Sequence, residues 1–484
     1  MAISQELSAS VEHAEDNPYL VGVYAPVHTE ITADDLEIVG TIPKDLDGVF
    51  VRTGPNPQYE PQGRYHWFDG DGMLHAIRFA DGRASYRNRW VRTKAFQKEA
   101  RAGRTLWTGV MEHPGGNEAV NRKGLPLKDT ANTSVHYHNG KVLALWYLAG
   151  EPYAVDPHTL DTIGVETFDG TLQCDMSAHA KVDERTGELF FFDYGPRPPY
   201  LRYGVVDAGG RVTHCVDIDL PGARMPHDMA ITDSYAILMD LPLYRDPEAA
   251  REGRHKIIFD RELPSRFAVI PRRGTGSEVR WFEASPCYIY HIINAFEDGP
   301  EVVLDVCSVS RPQPIGSGNP LARMLSYLRL DAHLHRYRFN VRTGGTREER
   351  RDDDNTEFPA IPTHLTGRRS RYAYNVHISP KETLLFDGLV KYDLTTGTSE
   401  RYAFGEGRWG SETPFALRPG AVAEDDGYLV SFVQDEREGR SEVVILDAGD
   451  IAAGPVGRVL LPQRVPIGFH ATWVRGDQLP KGPS

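Results

Sequence analysis

One pattern runs through almost the whole chain and never changes class: short apolar or aromatic runs, each cut off by a glycine-containing turn. KVLALWYL at 141–148, ELFFFDY at 188–194, YAILMDL at 235–241, YIYHIINAF at 288–296 and EVVLDVC at 301–307 are followed by LHRYRFNV at 334–341, YAYNVHI at 372–378, TLLFDGLVKYDL at 383–394, YLVSFV at 428–433 and EVVILDA at 442–448. Runs of this length, rich in β-branched and aromatic residues, are strands rather than helices. The 46 glycines and 34 prolines supply the turns. Units such as FVQDEREGRSEVVILD read as neighbouring antiparallel strands, and closing such units into a ring protects most sheet edges. The expectation is an all-β chain: a seven-bladed β-propeller of about 69 residues per blade, with inserted loops and short helices forming a cap.

Residues 1–17 read as a flexible N-terminal segment and residues 18–484 as a single propeller domain, with a cap or entrance insertion at 312–333. Within that insertion NPLARMLSYLRL (319–330) is the best helical stretch, placing Leu321, Met324, Leu325 and Leu328 at helical spacing. An ordinary buried stripe is the plainer reading; a face toward an apolar ligand or a peripheral membrane contact is the sharper one. TGGTREERRDDDNTE (343–357) reads as an exposed charged loop.

With 54 Lys+Arg against 68 Asp+Glu, the net charge of -14 gives no electrostatic reason to bind nucleic acid. Four cysteines without a CxxC pair fit a reducing compartment, and no run is long enough to span a bilayer, so a cytoplasmic protein is expected.

The local signatures of dinucleotide, nucleoside triphosphate, α/β-hydrolase and zinc-protease chemistry are missing. A dispersed site is left, and the 18 histidines are its best material. His179 (SAHAK), His227 (MPHDM), His291 (YIYHIINAFE) and His470 (GFHATW) lie at strand or turn boundaries. Their wide spacing rules out one compact metal loop but lets four blades point imidazoles at a common axis. Nitrogen ligands suit Fe(II), with coordination positions left open for dioxygen and substrate. Singly, each of these residues reads more simply as a structural histidine, and His66, His75, His136, His138 and His377 stay open as alternatives.

Longer motifs separate them. GTIPKDLDGVFVRTGPNP (40–57), HWFDGDGMLHAIRF (66–79), AHAKVDERTGELFFF (178–192), PHDMAIT (226–232), YHIINAFEDG (290–299), EFPAI (357–361), SETPF (411–415), EDDGYLVSFV (424–433) and the terminal GFHATW together resemble the carotenoid cleavage oxygenase family, including its bacterial stilbene-cleaving branch. The resemblance implies a seven-bladed propeller with an axial non-haem Fe(II) held by His179, His227, His291 and His470. It also implies acidic residues behind the ligands, Glu357 paired with His291 and Glu412 with His470, where carboxylates orient the rings and strengthen nitrogen donation. LALWYLAGEPY (143–153) departs from the pattern: Tyr147 stands where a third glutamate is common, expected to support His227. Trp146 stands where the stilbene-cleaving branch carries a lysine that helps recognise a phenolic oxygen. Tyr147 reads equally well as a packed core aromatic, and Phe68 and Phe296 are further aromatics that could neighbour a pocket.

The implied activity is dioxygen-dependent cleavage of a C=C bond in an apolar conjugated substrate, a carotenoid or apocarotenoid, to two carbonyl products. A stilbene or phenylpropanoid is the alternative within the same chemistry. A catalytically inactive propeller that only binds ligand is the alternative outside it, and a Ca²⁺-dependent propeller hydrolase fits four imidazoles poorly.

Overall fold

The computed structural model describes residues 2–6, 17–112, 115–148, 150–251, 256–312 and 330–481. Its strands form seven blades around an axis, and in each blade the strand nearest the axis leads outward through antiparallel neighbours. Five blades run outward along the chain, with inner strands Ser134–His138, Lys181–Asp183, Ala230–Ile231, Tyr288–Asp298 and Thr356–Ala360; in the third of these the chain leaves the blade for Leu243–Arg245 and Lys256–Asp260, which pair with each other outside it. The other two blades exchange chain ends. The C-terminal strand Ala471–Arg475 pairs with Gly48–Pro55 as the inner strand of one blade. The early strand Ile38–Gly40 pairs with Pro455–Leu460 as the outer strand of the next.

Position within the blade explains the composition of each strand. Middle strands are covered on both faces by adjoining blades, so Glu188–Tyr194 and Gly427–Asp435 are buried almost without interruption. Outer strands have one wet face, and Val212–Ile218 and Thr398–Ala403 alternate accordingly. Asp81–Gly82 and Asn139–Gly140 turn two hairpins with positive φ at both positions (51° and 74°, 45° and 77°), the geometry that matches the strand twist.

The expected strands are present, most of them shifted at the ends by a residue or two. Two expectations change. In the first seventeen residues, read as a flexible segment, Ala2–Glu6 forms a strand paired with Lys256–Asp260. The charged stretch 343–357 is not all loop: Thr346–Arg350 is the exposed outer strand of its blade, and Thr356–Ala360 is the inner strand of the next. Its charges are tolerated because an edge strand keeps them in water while its backbone pairs with His333–Asn340. All but Leu330 of the helix expected at 319–330, and most of the 312–333 insertion, lie outside the described residues.

Candidate metal centre

The inner strands begin at one end of the axis, and that is where the four histidines meet. His179, His227 and His470 each stand just before an inner strand, and His291 lies within one. Ring centroids are 5.0 Å apart for His179–His291, 4.6 Å for His179–His470 and 4.5 Å for His291–His470, with ligand nitrogens of these three within 4.8 Å of one another. His227, only half-buried, stands beside this trio, 4.7 Å from His179 and 5.3 Å from His291 by centroid.

Local irregularities aim the rings. The pairing of Tyr288–Asp298 with Glu301–Val309 shifts register on both sides of Ile292, so the strand bulges at His291 and turns that side chain toward the axis. A second shift, between Glu357 and Ala360, accompanies a left-handed backbone at Phe358, φ 47°. That conformation is uncommon for a bulky residue. It lets the Phe358 N–H donate to Glu357 Oε2 at 2.7 Å while its ring lies against His291 (4.8 Å) and stacks on His470 (4.7 Å).

Two carboxylates sit behind the rings. Glu357 Oε2 bonds His291 Nδ1, and Glu412 Oε1 lies 3.0 Å from His470 Nδ1. Glu412 Oε2 accepts the Ala471 N–H, so the carboxylate holds both the ring and the backbone beside it. With Nδ1 occupied, Nε2 is the free ligand atom of His291, and it is buried without a hydrogen-bond partner, as is Nε2 of His179. Burial chiefly, and the proximity of other cationic groups, hold His179, His227 and His291 well below the ordinary histidine value, which leaves them in the neutral form a metal requires. Burial pushes Glu357 well above the usual carboxylate range, a cost that a bound dication reverses. Bare, neutral, converging imidazole nitrogens fit a first-row divalent metal such as Fe(II).

Sequence reasoning passed over Asp228, beside His227 and buried. Its Oδ2 accepts the Ile292 N–H at 2.8 Å, its Oδ1 accepts the Met229 N–H at 2.7 Å, and Oδ1 lies 2.7 Å from Lys181 Nζ. One carboxylate therefore ties together the strands that carry His179, His227 and His291. Thr133 was also missed; its carbonyl accepts the His470 N–H at 3.3 Å.

The other histidines are engaged elsewhere. His75 bonds Tyr86, His136 bonds Ser134 and the Ala178 carbonyl, His138 bonds the Gly187 carbonyl, His377 bonds Asp387, and His66 Nδ1 accepts the Phe68 N–H. Tyr147 packs edge-on against Phe68 (4.9 Å) and beside Trp146 (5.9 Å), and the ring 5.1 Å from His227 is that of Tyr290. Phe68 also meets Phe469 at 4.8 Å, so it belongs to the aromatic cluster that includes Trp67 and buried Trp146. Phe296 lies beneath the Arg336 and Arg369 guanidinium groups, a packing position rather than a site neighbour. A cavity of about 230 Å³ runs along the inner strands from His179, His470 and Glu412 past Lys181 to Glu184 and Gln478.

A family described as "Retinal pigment epithelial membrane protein" matches residues 24–475. The chain belongs to this carotenoid cleavage oxygenase family. It is 37% identical over 493 residues to carotenoid 9,10(9',10')-cleavage dioxygenase 1 of Phaseolus vulgaris, covering 95% of this chain and 90% of the relative. Isoeugenol monooxygenase of Pseudomonas nitroreducens is 33% identical over 479 residues, covering 95% and 98%. The crystal structure of Pseudomonas brassicacearum lignostilbene dioxygenase superposes with a TM-score of 0.86 at 31% identity, covering 95% of this chain and 99% of that one. Among the described residues no helix is long and apolar enough to cross a membrane.

Proposed function

We propose that this family member is an Fe(II)-dependent dioxygenase that cleaves one C=C bond of a carotenoid or apocarotenoid to two carbonyl products. The observation that carries the reading is the convergence of four imidazoles with bare, buried Nε2 atoms on His179 and His291. His179, His227, His291 and His470 would hold the metal, and Glu357 and Glu412 would fix two rings in the tautomer that presents Nε2. Fe(II) held there supplies the redox chemistry that activates dioxygen toward a conjugated alkene. The chain supplies placement. Phe358, packed against His291 and stacked on His470, shields one side of the histidine cluster from water.

A stilbene or phenylpropanoid substrate is the second reading, supported by the likeness to isoeugenol monooxygenase and lignostilbene dioxygenase. Against it, position 146 offers a buried tryptophan in place of a lysine for a phenolic oxygen. The test is anaerobic Fe(II) loading, then oxygen with a panel of carotenoids, apocarotenoids, hydroxylated stilbenes and isoeugenol, products being identified by mass spectrometry. Apocarotenoid aldehydes are expected; aromatic aldehydes alone would select the second reading. Ligand binding without carbonyl fragments would leave only a binding protein.

A further inference from the structure

The blade whose inner strand is Lys181–Asp183 carries a pair of thiols remote in sequence and close in space. Cys174 is buried in the segment that leads, five residues later, to His179. Cys215 is exposed on the outer strand Val212–Ile218. Their Sγ atoms are 4.0 Å apart. The packing beneath explains the approach. Cys215 faces Gly204 across the sheet, and a Cβ at Gly204 would meet the Phe191 ring at 2.3 Å, so glycine is required there and the ring fills the space. Cys174 packs in the same cluster as Phe191, at the edge where Cys215 emerges.

The two thiols are not equivalent. The hydrogen bond from Cys174, and then the Arg202 guanidinium, draw the Cys215 thiol below its ordinary value. The hydrogen bond to Cys215, followed by burial, pushes Cys174 the other way. An exposed, thiolate-prone sulfur beside a buried partner is the arrangement of an attacking and a resolving cysteine. A disulfide needs the sulfurs about 2 Å apart, so they must close by roughly half their separation, and an edge strand facing a loop can move that far.

We propose that Cys174 and Cys215 are a peroxide-sensitive dithiol that oxidises to an intramolecular disulfide. Cys215 thiolate attacks the O–O bond of a hydroperoxide, giving a sulfenic acid and, after protonation, an alcohol or water. Cys174 sulfur then displaces the hydroxyl as water, its proton leaving with it. Two thiols and one hydroperoxide thus yield one disulfide, one alcohol or water, and one water. A thiol reductant reverses it. The bridge would fasten the segment preceding His179 to the outer edge of its own blade. The inference stands whether or not the metal centre acts on carotenoids.

The test uses full-length metal-free protein, so that iron cannot generate radicals. It is treated with hydrogen peroxide, unfolded, alkylated and digested for mass spectrometry. The expected product is a linked Cys174–Cys215 peptide pair, lost on treatment with dithiothreitol, while Cys287 and Cys307 remain alkylatable. In Cys174→Ser the sulfenic acid at Cys215 should persist and be trapped by dimedone; in Cys215→Ser, at an exposed position, Cys174 should stay reduced. Overoxidation of Cys215 with Cys174 still free, equal reactivity of all four thiols, or a disulfide only between chains would each overturn the proposal.

Discussion

At the residue scale, the histidines do little without the groups behind them. Replacing Glu357 by Gln keeps a hydrogen-bond acceptor near His291 but removes the charge, and should weaken Fe(II) binding about 10- to 100-fold; competition against a chromophoric chelator measures it, and an unchanged dissociation constant would remove Glu357 from the site. Asp228→Asn should loosen three ligand-bearing strands at once and leave Lys181 without its buried partner. A stability loss of about 1–3 kcal/mol in urea unfolding is expected, with faster release of bound iron. Tyr147→Glu should leave iron retention within about twofold but lower the melting temperature, because a carboxylate would enter the Phe68 cluster without a partner. Gain of iron affinity would instead place residue 147 behind His227. The convergence of the four histidines and the pairing of Glu357 with His291 and Glu412 with His470 were legible because each residue sits in a motif that keeps its order along the chain. Asp228 was not, although it adjoins His227, because its role is to receive an amide from residue 292 and a cation from residue 181, which no local pattern reports.

At the scale of strands, class was legible and detail was not. Buried middle strands such as Glu188–Tyr194 and Tyr372–Ile378 were read to the residue, since turns bracket continuous apolar runs. Thr346–Arg350 was missed because an outer strand can be almost wholly charged and still pair through its backbone. The bulges at His291 and Glu357 left no signal either, being set by what the neighbouring strand and Phe358 require. Glycine at 204 is a tighter constraint. Gly204→Ala should cost about 1–3 kcal/mol through overpacking against Phe191, read as a lower denaturation midpoint; an unchanged midpoint would mean that the ring has room to rotate away.

For the whole molecule, the buried histidines make the metal-free fold sensitive to acid. His66 and His136 are each lowered by burial to about 4, and His75, His179, His227 and His291 lie well below their ordinary value of 6.5. Below pH 6.5 the unfolded chain takes up protons that the folded chain refuses, so stability falls as the pH drops toward 4, by up to about 1.4 kcal/mol per pH unit for each such group. His377, raised by its bond to Asp387, and the carboxyls of Asp69, Asp129, Asp175 and Glu357, raised by burial to about 7, 8 and 6 and, for Glu357, well above the usual range, work in the opposite direction and offset much of the loss. Followed by unfolding from pH 8 to pH 4, the parent should therefore lose more stability than His136→Gln, and identical profiles would mean that the His136 ring is hydrated. The ring of blades closes over a long distance: Arg52 bonds the Pro466 carbonyl, 414 positions away. His470 stands at the strand that completes the closure, whereas His179 and His227 belong to blades made long before it. A chain extended only through the blades of His179, His227 and His291 therefore holds three of the imidazoles over an open arc but never four. The centre comes into being only when Ala471–Arg475 pairs with Gly48–Pro55 and locks the circle, so possession of a complete metal site doubles as a report that the ring of blades has closed.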